Sequence, residues 1–209
     1  MSGATSVPSG ARGRFIVFEG GEASGKSTQA SLLAERLGAV STREPGGTAL
    51  GERLRALLLD PATGDLDART ELLLMAAARA EHVARVIAPA LASGRDVVCD
   101  RFSASSVAYQ AYGRGLGPDE VADVSRWATA GLEPDLIVLL QVDDDTRASR
   151  LGRHRDRLEA AGGAFHSRVA EGFRALAAAD PDRWVVLDGG EQVDQIAAVV
   201  AATVHARLG

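Results

Sequence analysis

Apolar residues fall into two kinds of pattern along this chain. Five short runs are almost continuously apolar: Phe15 to Phe18, Ala39 to Thr42, Asp96 to Cys99, Leu136 to Val142 and Trp184 to Leu187. Between and after them, apolar positions recur every three or four residues. These stretches are Ser27 to Leu37, Leu50 to Leu59, Thr70 to Leu91, Pro118 to Ala130, Asp145 to Leu158, Ala164 to Ala179 and Val193 to Leu208. A short apolar run between helices is what a parallel strand looks like when helices cover both of its faces, because neither side meets water. The alternation therefore predicts an α/β fold, doubly wound, with helices on both faces of the sheet. Gly and Pro clusters at Pro45-Gly46-Gly47, Gly113 to Pro118 and Gly162-Gly163 mark loops. In such sheets ligands bind beyond the carboxyl ends of the strands, where the segments of chemical character in this chain also fall.

The chain has 209 residues, 46% hydrophobic and 24% charged, the size and mixture of one globular domain with at most an inserted lid. Residues 1–13, rich in Gly, Ser and Ala and without an apolar core of signal-peptide length, are expected to form a flexible tail ahead of a domain spanning 14–209. No apolar run approaches the roughly 18 residues of a membrane span, so no membrane partner is expected. A net charge of −5 argues against a broad nucleic-acid surface and leaves room for a local basic pocket. One cysteine, Cys99, cannot close an internal disulfide, which fits a reducing, cytoplasmic setting. Of the 23 lysines and arginines only Lys26 is a lysine. It stands where an ammonium and a guanidinium are not interchangeable.

That place is Gly20-Gly21-Glu22-Ala23-Ser24-Gly25-Lys26-Ser27-Thr28, which follows a predicted strand and opens a predicted helix. It is the G-x-x-x-x-G-K-[ST] pattern in the context its chemistry requires. Glycines let successive backbone N–H groups converge on phosphate oxygens, and the helix N-terminus adds its positive end. Lys26 is then placed for the β- and γ-phosphates and Ser27 for Mg²⁺. A nucleoside triphosphate with Mg²⁺ is the expected ligand.

Such a cradle serves GTPases, motors, transport ATPases and small-molecule kinases alike. With Lys26 the sole lysine, no N-K-x-D guanine motif exists, and the chain is short for a motor with coupled domains. Arginine-bearing loops beyond the cradle exceed what one triphosphate needs and point to a second anionic substrate. A kinase is the leading reading; a non-catalytic nucleotide switch is the rival from another class.

Two further segments are more specific. Thr42-Arg43-Glu44-Pro45-Gly46-Gly47-Thr48 and the stretch from Asp100-Arg101-Phe102 through Ser105, Ser106, Tyr109 and Gln110 resemble bacterial thymidylate kinase, a P-loop nucleoside monophosphate kinase. So do Thr70 to Arg79 and Asp156 to Glu159, and the resemblance runs from about Arg14 to Leu208. It implies a five-stranded parallel sheet with a short arginine-rich lid at about 147–162. It also implies transfer of the γ-phosphoryl group of ATP to dTMP, giving dTDP in dTTP synthesis, by a homodimer. Arg101, with Arg43 and Arg55, corresponds to residues that hold the dTMP phosphate. Asp100 corresponds to a residue that holds the Mg²⁺ shell or orients that phosphate. Arg79 corresponds to the arginine at the thymine edge, and Ser105, Ser106 and Gln110 to positions lining the base. Tyr109 matches the ring that excludes a ribose 2′-hydroxyl, and Glu22 the contact to the sugar 3′-hydroxyl. Met75 stands where the family has a stacking aromatic, so it reads either as a thioether against the base or as core.

Alternatives at single positions are a structural ion pair of Arg101 with Asp100, solvated charges at Arg43, Arg55 and Glu22, and local helix-start hydroxyls at the serines. The acceptor itself could be another nucleoside monophosphate or a small metabolite. The cluster Arg147, Arg150, Arg153, His154, Arg155 and Arg157 is either a solvated helix face or the lid that meets transition-state charge. Because cradle positions 21–24 carry no arginine, Arg150 and Arg153 are the expected catalytic pair beside Lys26 and Asp100. His82 and His154 read as packing or surface residues.

Overall fold

A computed structural model describes residues 12–150 and 156–209. Its strands are β1 (Phe15–Glu19), β2 (Val40–Arg43), β3 (Val97–Asp100), β4 (Leu136–Gln141) and β5 (Trp184–Asp188). They form one five-stranded sheet in the order β2-β3-β1-β4-β5. All neighbours pair in parallel. Every β1 residue is buried, as expected of a central strand covered on both faces. Alternate strand residues feed opposite layers. Ile16, Phe18, Val98, Val138 and Leu140 pack with Ala30, Leu33, Ile196 and Val200 on one face. Phe15, Val17, Val97 and Cys99 pack with Val83, Ile87 and Phe102 on the other.

The helices are α1 (Lys26–Leu37), α2 (Ala49–Leu59), α3 (Ala68–His82), α4 (Ala88–Ala92), α5 (Ser103–Ser106), α6 (Pro118–Ala128), α7 (Asp144–Arg150), α8 (Gly163–Ala179) and α9 (Val193–Leu208). Local chemistry sets several of their starts. Thr48 accepts from Gly51 N to open α2, Asp67 accepts from Arg69 N to open α3, and Pro118 occupies the first turn of α6.

The expected strands and most helices form within a residue or two of their predicted ends, and three segments differ. The stretch Thr70 to Leu91 divides into α3, a wider π-turn at Val83–Ile87, and α4. The helix expected through Leu158 does not reach it. The described part of α7 ends at Arg150, residues 151–155 lie outside the described residues, and Asp156 begins a new turn by accepting from the backbone N–H of Leu158 and Glu159. Lastly, α5 continues as a π-turn over Val107–Gly113, a helical segment that periodicity overlooked because small Ser and Ala residues blur its apolar stripe. Of the expected tail, Arg12 and Gly13 already belong to the fold, through an ion pair to Asp135 and a bond to Leu91 O, while residues 1–11 lie outside the described residues.

Candidate active site

The turn from β1 into α1 wraps around a space suited to phosphate. Gly20 has φ 141°, and a Cβ there would lie 2.2 Å from Leu140 O, so only glycine lets β1 turn this close to β4. Ala23 adopts φ 58° and Gly25 φ 92°, which turns the intervening N–H groups into one concavity. Lys26 folds back over the loop, its Nζ donating to Gly21 O at 2.5 Å and Ser24 Oγ at 3.2 Å. Burial, joined by the nearby Arg101, pulls the Lys26 ammonium down to about 8 against the opposing pull of Glu22, Asp100 and Glu19. The helix behind the loop presents Ser27, whose Oγ donates to Asp100 Oδ2 at 2.5 Å.

Register brings these residues together. Phe18 pairs with Asp100 across β1 and β3, so the cradle and the Asp100-Arg101 corner leave the sheet side by side. Asp100 Oδ1 is buried and has no hydrogen-bond partner among the described residues. An orphaned carboxylate oxygen beside a serine hydroxyl at the phosphate cradle is a hard-oxygen donor set that suits Mg²⁺, which keeps most of its waters and phosphate ligands.

Arg101 adopts the left-handed conformation at φ 73°, uncommon for a side chain of this size. Its Nη1 donates to Gly20 O at 2.9 Å, and its Nη2 to Glu22 Oε1 at 2.6 Å and to Tyr109 Oη at 3.1 Å. Tyr109 in turn donates to Glu22 Oε1 at 2.8 Å. Burial would raise the Glu22 carboxyl, but Arg101, Lys26 and the Tyr109 hydroxyl hold it at about 2. Arg101 thus pairs with Glu22 rather than with Asp100. Glu22 is no solvent-facing acid.

A small cavity of about 80 Å³ opens behind this corner. Its lining includes Glu22, Arg55, Met75, Arg79, Arg101, Ser105, Ser106, Tyr109 and Gln110. A second groove of about 350 Å³ runs along Glu22 to Thr28, Arg43, Arg55, Asp100, Arg101 and Arg150. The two share Glu22, Glu44, Arg55 and Arg101, so the cradle and the cavity meet at a row of charged side chains.

The sequence-predicted residues distribute between them as follows. Arg55 donates to Pro45 O and faces both spaces. Arg43 is exposed along the groove and paired with Glu52. Met75 is both core and lining: 9% exposed, it packs with Leu58 and Tyr109 and borders the cavity. Neither serine caps α5. Ser105 Oγ donates to Glu19, and Ser106 Oγ accepts from Arg79. Arg150 donates to Gly189 O at 2.8 Å beside the cradle. Arg153, His154 and Arg155 lie outside the described residues. Arg157 leaves the expected lid face altogether. It is buried, donating to Leu58 O and to Glu71.

Three acids at the site were not singled out by sequence reasoning. Glu19 accepts from Phe102 N, Ser105 N and Ser105 Oγ, and burial raises it to about 6. Glu44 accepts from Arg79 Nε at 2.7 Å and pairs with His82 Nδ1 at 3.0 Å, while His82 Nε2 meets Thr42 Oγ1 at 2.6 Å. With Ser106, Ser125 and Phe102 O, this engages four of the five N–H donors of Arg79 among the described residues. Glu71 gathers Gln110, Arg114 and Arg157. A charged residue ending an apolar strand was the one available signal, for Glu19; the others sit in helical or loop positions where acids are ordinary.

Comparison with known proteins gives a consistent picture. A family model described as thymidylate kinase matches residues 18–200. The chain is 51% identical to the thymidylate kinase of Synechococcus sp. (strain JA-3-3Ab), over 93% of this chain and 96% of that one. It is 47% identical to that of Leifsonia xyli subsp. xyli, over 97% and 100%. The crystal structure of thymidylate kinase from Ehrlichia chaffeensis superposes with a TM-score of 0.77 at 33% identity, covering 93% of this chain and 99% of that chain. Matched from the cradle strand into the last helix, and end to end with these relatives, the chain belongs to the thymidylate kinase family.

Proposed function

We propose a division of labour among these residues for the reaction of this family. The chain is a dTMP kinase: it transfers the γ-phosphoryl group of ATP to dTMP, giving dTDP and ADP. The observation that carries the assignment of parts is the meeting of cradle and cavity at Glu22, Arg55 and Arg101. In-line transfer needs donor and acceptor phosphates side by side, and that row of charges is where they would meet.

The cradle N–H groups hold the β- and γ-phosphates. Lys26 exchanges Gly21 O and Ser24 Oγ for phosphate oxygens. Ser27 and Asp100 would hold Mg²⁺, which neutralises developing charge on the phosphates when bound. The acceptor phosphate takes Arg101 from Glu22, with Arg43 and Arg55 as further cations and the base deep in the cavity near Met75, Arg79, Ser105, Ser106 and Gln110. A phosphate monoester with a second pKa near 6 arrives mostly unprotonated, so no general base is required. That leaves His82 and His166 outside the chemistry. Arg150 and Arg153, in the lid at about 147–162, supply the remaining positive charge to the transition state.

Homodimerisation belongs to the same proposal. Helices α2 and α3 pack together, as do α3 and α6. They carry exposed Leu50, Leu57, Leu73 and Trp127, the last 84% exposed, apolar side chains that a second copy would cover. Sedimentation of the protein tests it. A cytoplasmic location is supported by the single buried thiol, Cys99. The central test is ATP consumption with dTMP, dUMP, dCMP and AMP as acceptors. A clear preference for dTMP is expected, and preferential turnover of AMP would overturn the placement of the base.

A further inference from the structure

One side chain lining the acceptor cavity has its chemistry decided from outside it. Gln110 borders the cavity and carries a side-chain amide, which can present either an oxygen or an NH₂ group in almost the same shape. Its Nε2 donates to Glu71 Oε1 at 2.9 Å, and both residues are almost fully buried. Only this orientation satisfies the pair, since the amide oxygen against a carboxylate would set two acceptors together. Oε1 is thereby left facing away from Glu71, and it accepts no hydrogen bond among the described residues.

Glu71 is itself held firmly. Arg114 donates through Nε at 3.2 Å and Nη2 at 3.0 Å, and Arg157 through Nη2 at 2.6 Å. Burial would raise the carboxyl, but the bonds from Arg114, Gln110 and Arg157 outweigh it and keep Glu71 charged. Arg114 is fixed by its stack on the Phe165 ring at 4.7 Å, and Arg157 by Leu58 O. On α3, Glu71 precedes Met75 and Arg79 by one and two turns, on the helix face that borders the cavity.

We propose that Glu71 is a specificity-determining positioning residue: by fixing the Gln110 amide with its oxygen toward the cavity, it makes the site select a base that offers an N–H donor there. Thymine has such a donor at N3; cytosine has a lone pair at that atom. The proposal rests on the cavity being the dTMP site.

The test compares kcat/KM for dTMP and dCMP in four proteins. Glu71→Gln is nearly isosteric but can donate as well as accept, so the Gln110 amide is free to turn. The dTMP-to-dCMP ratio should fall by about tenfold, with the dTMP loss in KM and the KM for ATP unchanged. Gln110→Met removes the reader and should lower the ratio by a similar factor. The double variant should fall no further, because Glu71 acts through Gln110. A folded Glu71→Gln enzyme that keeps the wild-type ratio overturns the proposal, as does a double variant whose ratio drops by the product of the single effects. If Gln110→Met leaves both the ratio and the dTMP KM unchanged, the cavity assignment fails and the proposal with it. Should Glu71→Gln alone be too unstable to purify, Glu71→Gln with Arg114→Gln removes one cation along with the charge. Compared with Arg114→Gln alone, it must show the same fall.

Discussion

Replacing Lys26 by methionine should abolish phosphoryl transfer and, at neutral pH, stabilise the ligand-free protein. The ammonium is nearly buried, and its environment moves it from the ordinary 10.5 to about 8. That displacement corresponds to roughly 3 kcal/mol by which the folded state disfavours the charged form. The sign follows from proton counting. Between pH 8 and 10.5 the unfolded chain binds more protons at this residue than the folded one, so the wild type gains stability from Lys26 as pH rises through that window. Methionine has no such dependence. It fills similar space but gives up the bonds to Gly21 O and Ser24 Oγ, about 1 kcal/mol each, so the net gain at pH 7 is about 1 kcal/mol. For a chain of this size that is a rise of about 2 to 4 °C in Tm. At pH 9.5 the electrostatic part of the advantage should shrink by more than half. Thermal scans of both proteins at the two pH values measure it, with ATP titration confirming lost binding. A Lys26→Met protein that melts below the wild type at pH 7, or an advantage that does not shrink with pH, would refute the idea that the cradle strains its lysine until phosphate arrives.

Three kinetic outcomes follow from the placement of the other cations and of Met75. Arg101→Ala should raise the KM for dTMP much more than that for ATP, by the roughly 1.5 to 3 kcal/mol of a charge-assisted bond, and equal movement of both constants would assign Arg101 to the cradle alone. Met75→Phe should tighten dTMP binding by about 0.5 to 1.5 kcal/mol through ring stacking; lower Tm with unchanged affinity would make Met75 core only. Arg150→Ala or Arg153→Ala, or both, should cut kcat by at least about two decades at nearly constant KM, and a double variant within about threefold of wild type would remove the lid from catalysis.

Much of the fold was legible because burial on both faces writes itself as uninterrupted apolar runs, and β1 and β4 are the plainest cases. The cradle was legible because its glycines, lysine and serine act within a few residues of each other. What escaped were the buried acids. Glu44 meets Arg79 and His82, and Glu71 meets Gln110, Arg114 and Arg157, across sequence separations of 35 to 86 residues. A carboxylate on a helix or loop looks solvated until its cation is located in space, and periodicity does not carry that information. The same blindness placed Arg157 in a solvated lid when it is anchored inside. Small residues hid the helix that carries Ser105 and Ser106, whose hydroxyls serve Glu19 and Arg79 rather than the helix end.

The central position of β1 also shapes how the chain is made. This strand leaves the ribosome first among the five, yet both of its neighbours, β3 and β4, lie far downstream. Its pairing partner Val97 follows Phe15 by roughly 80 residues, which takes roughly 4 to 16 s at ordinary elongation rates. The most buried strand of the molecule therefore spends several seconds of each synthesis without a sheet. The cradle attached to it meets Asp100 and Leu140 only once those downstream segments have been made.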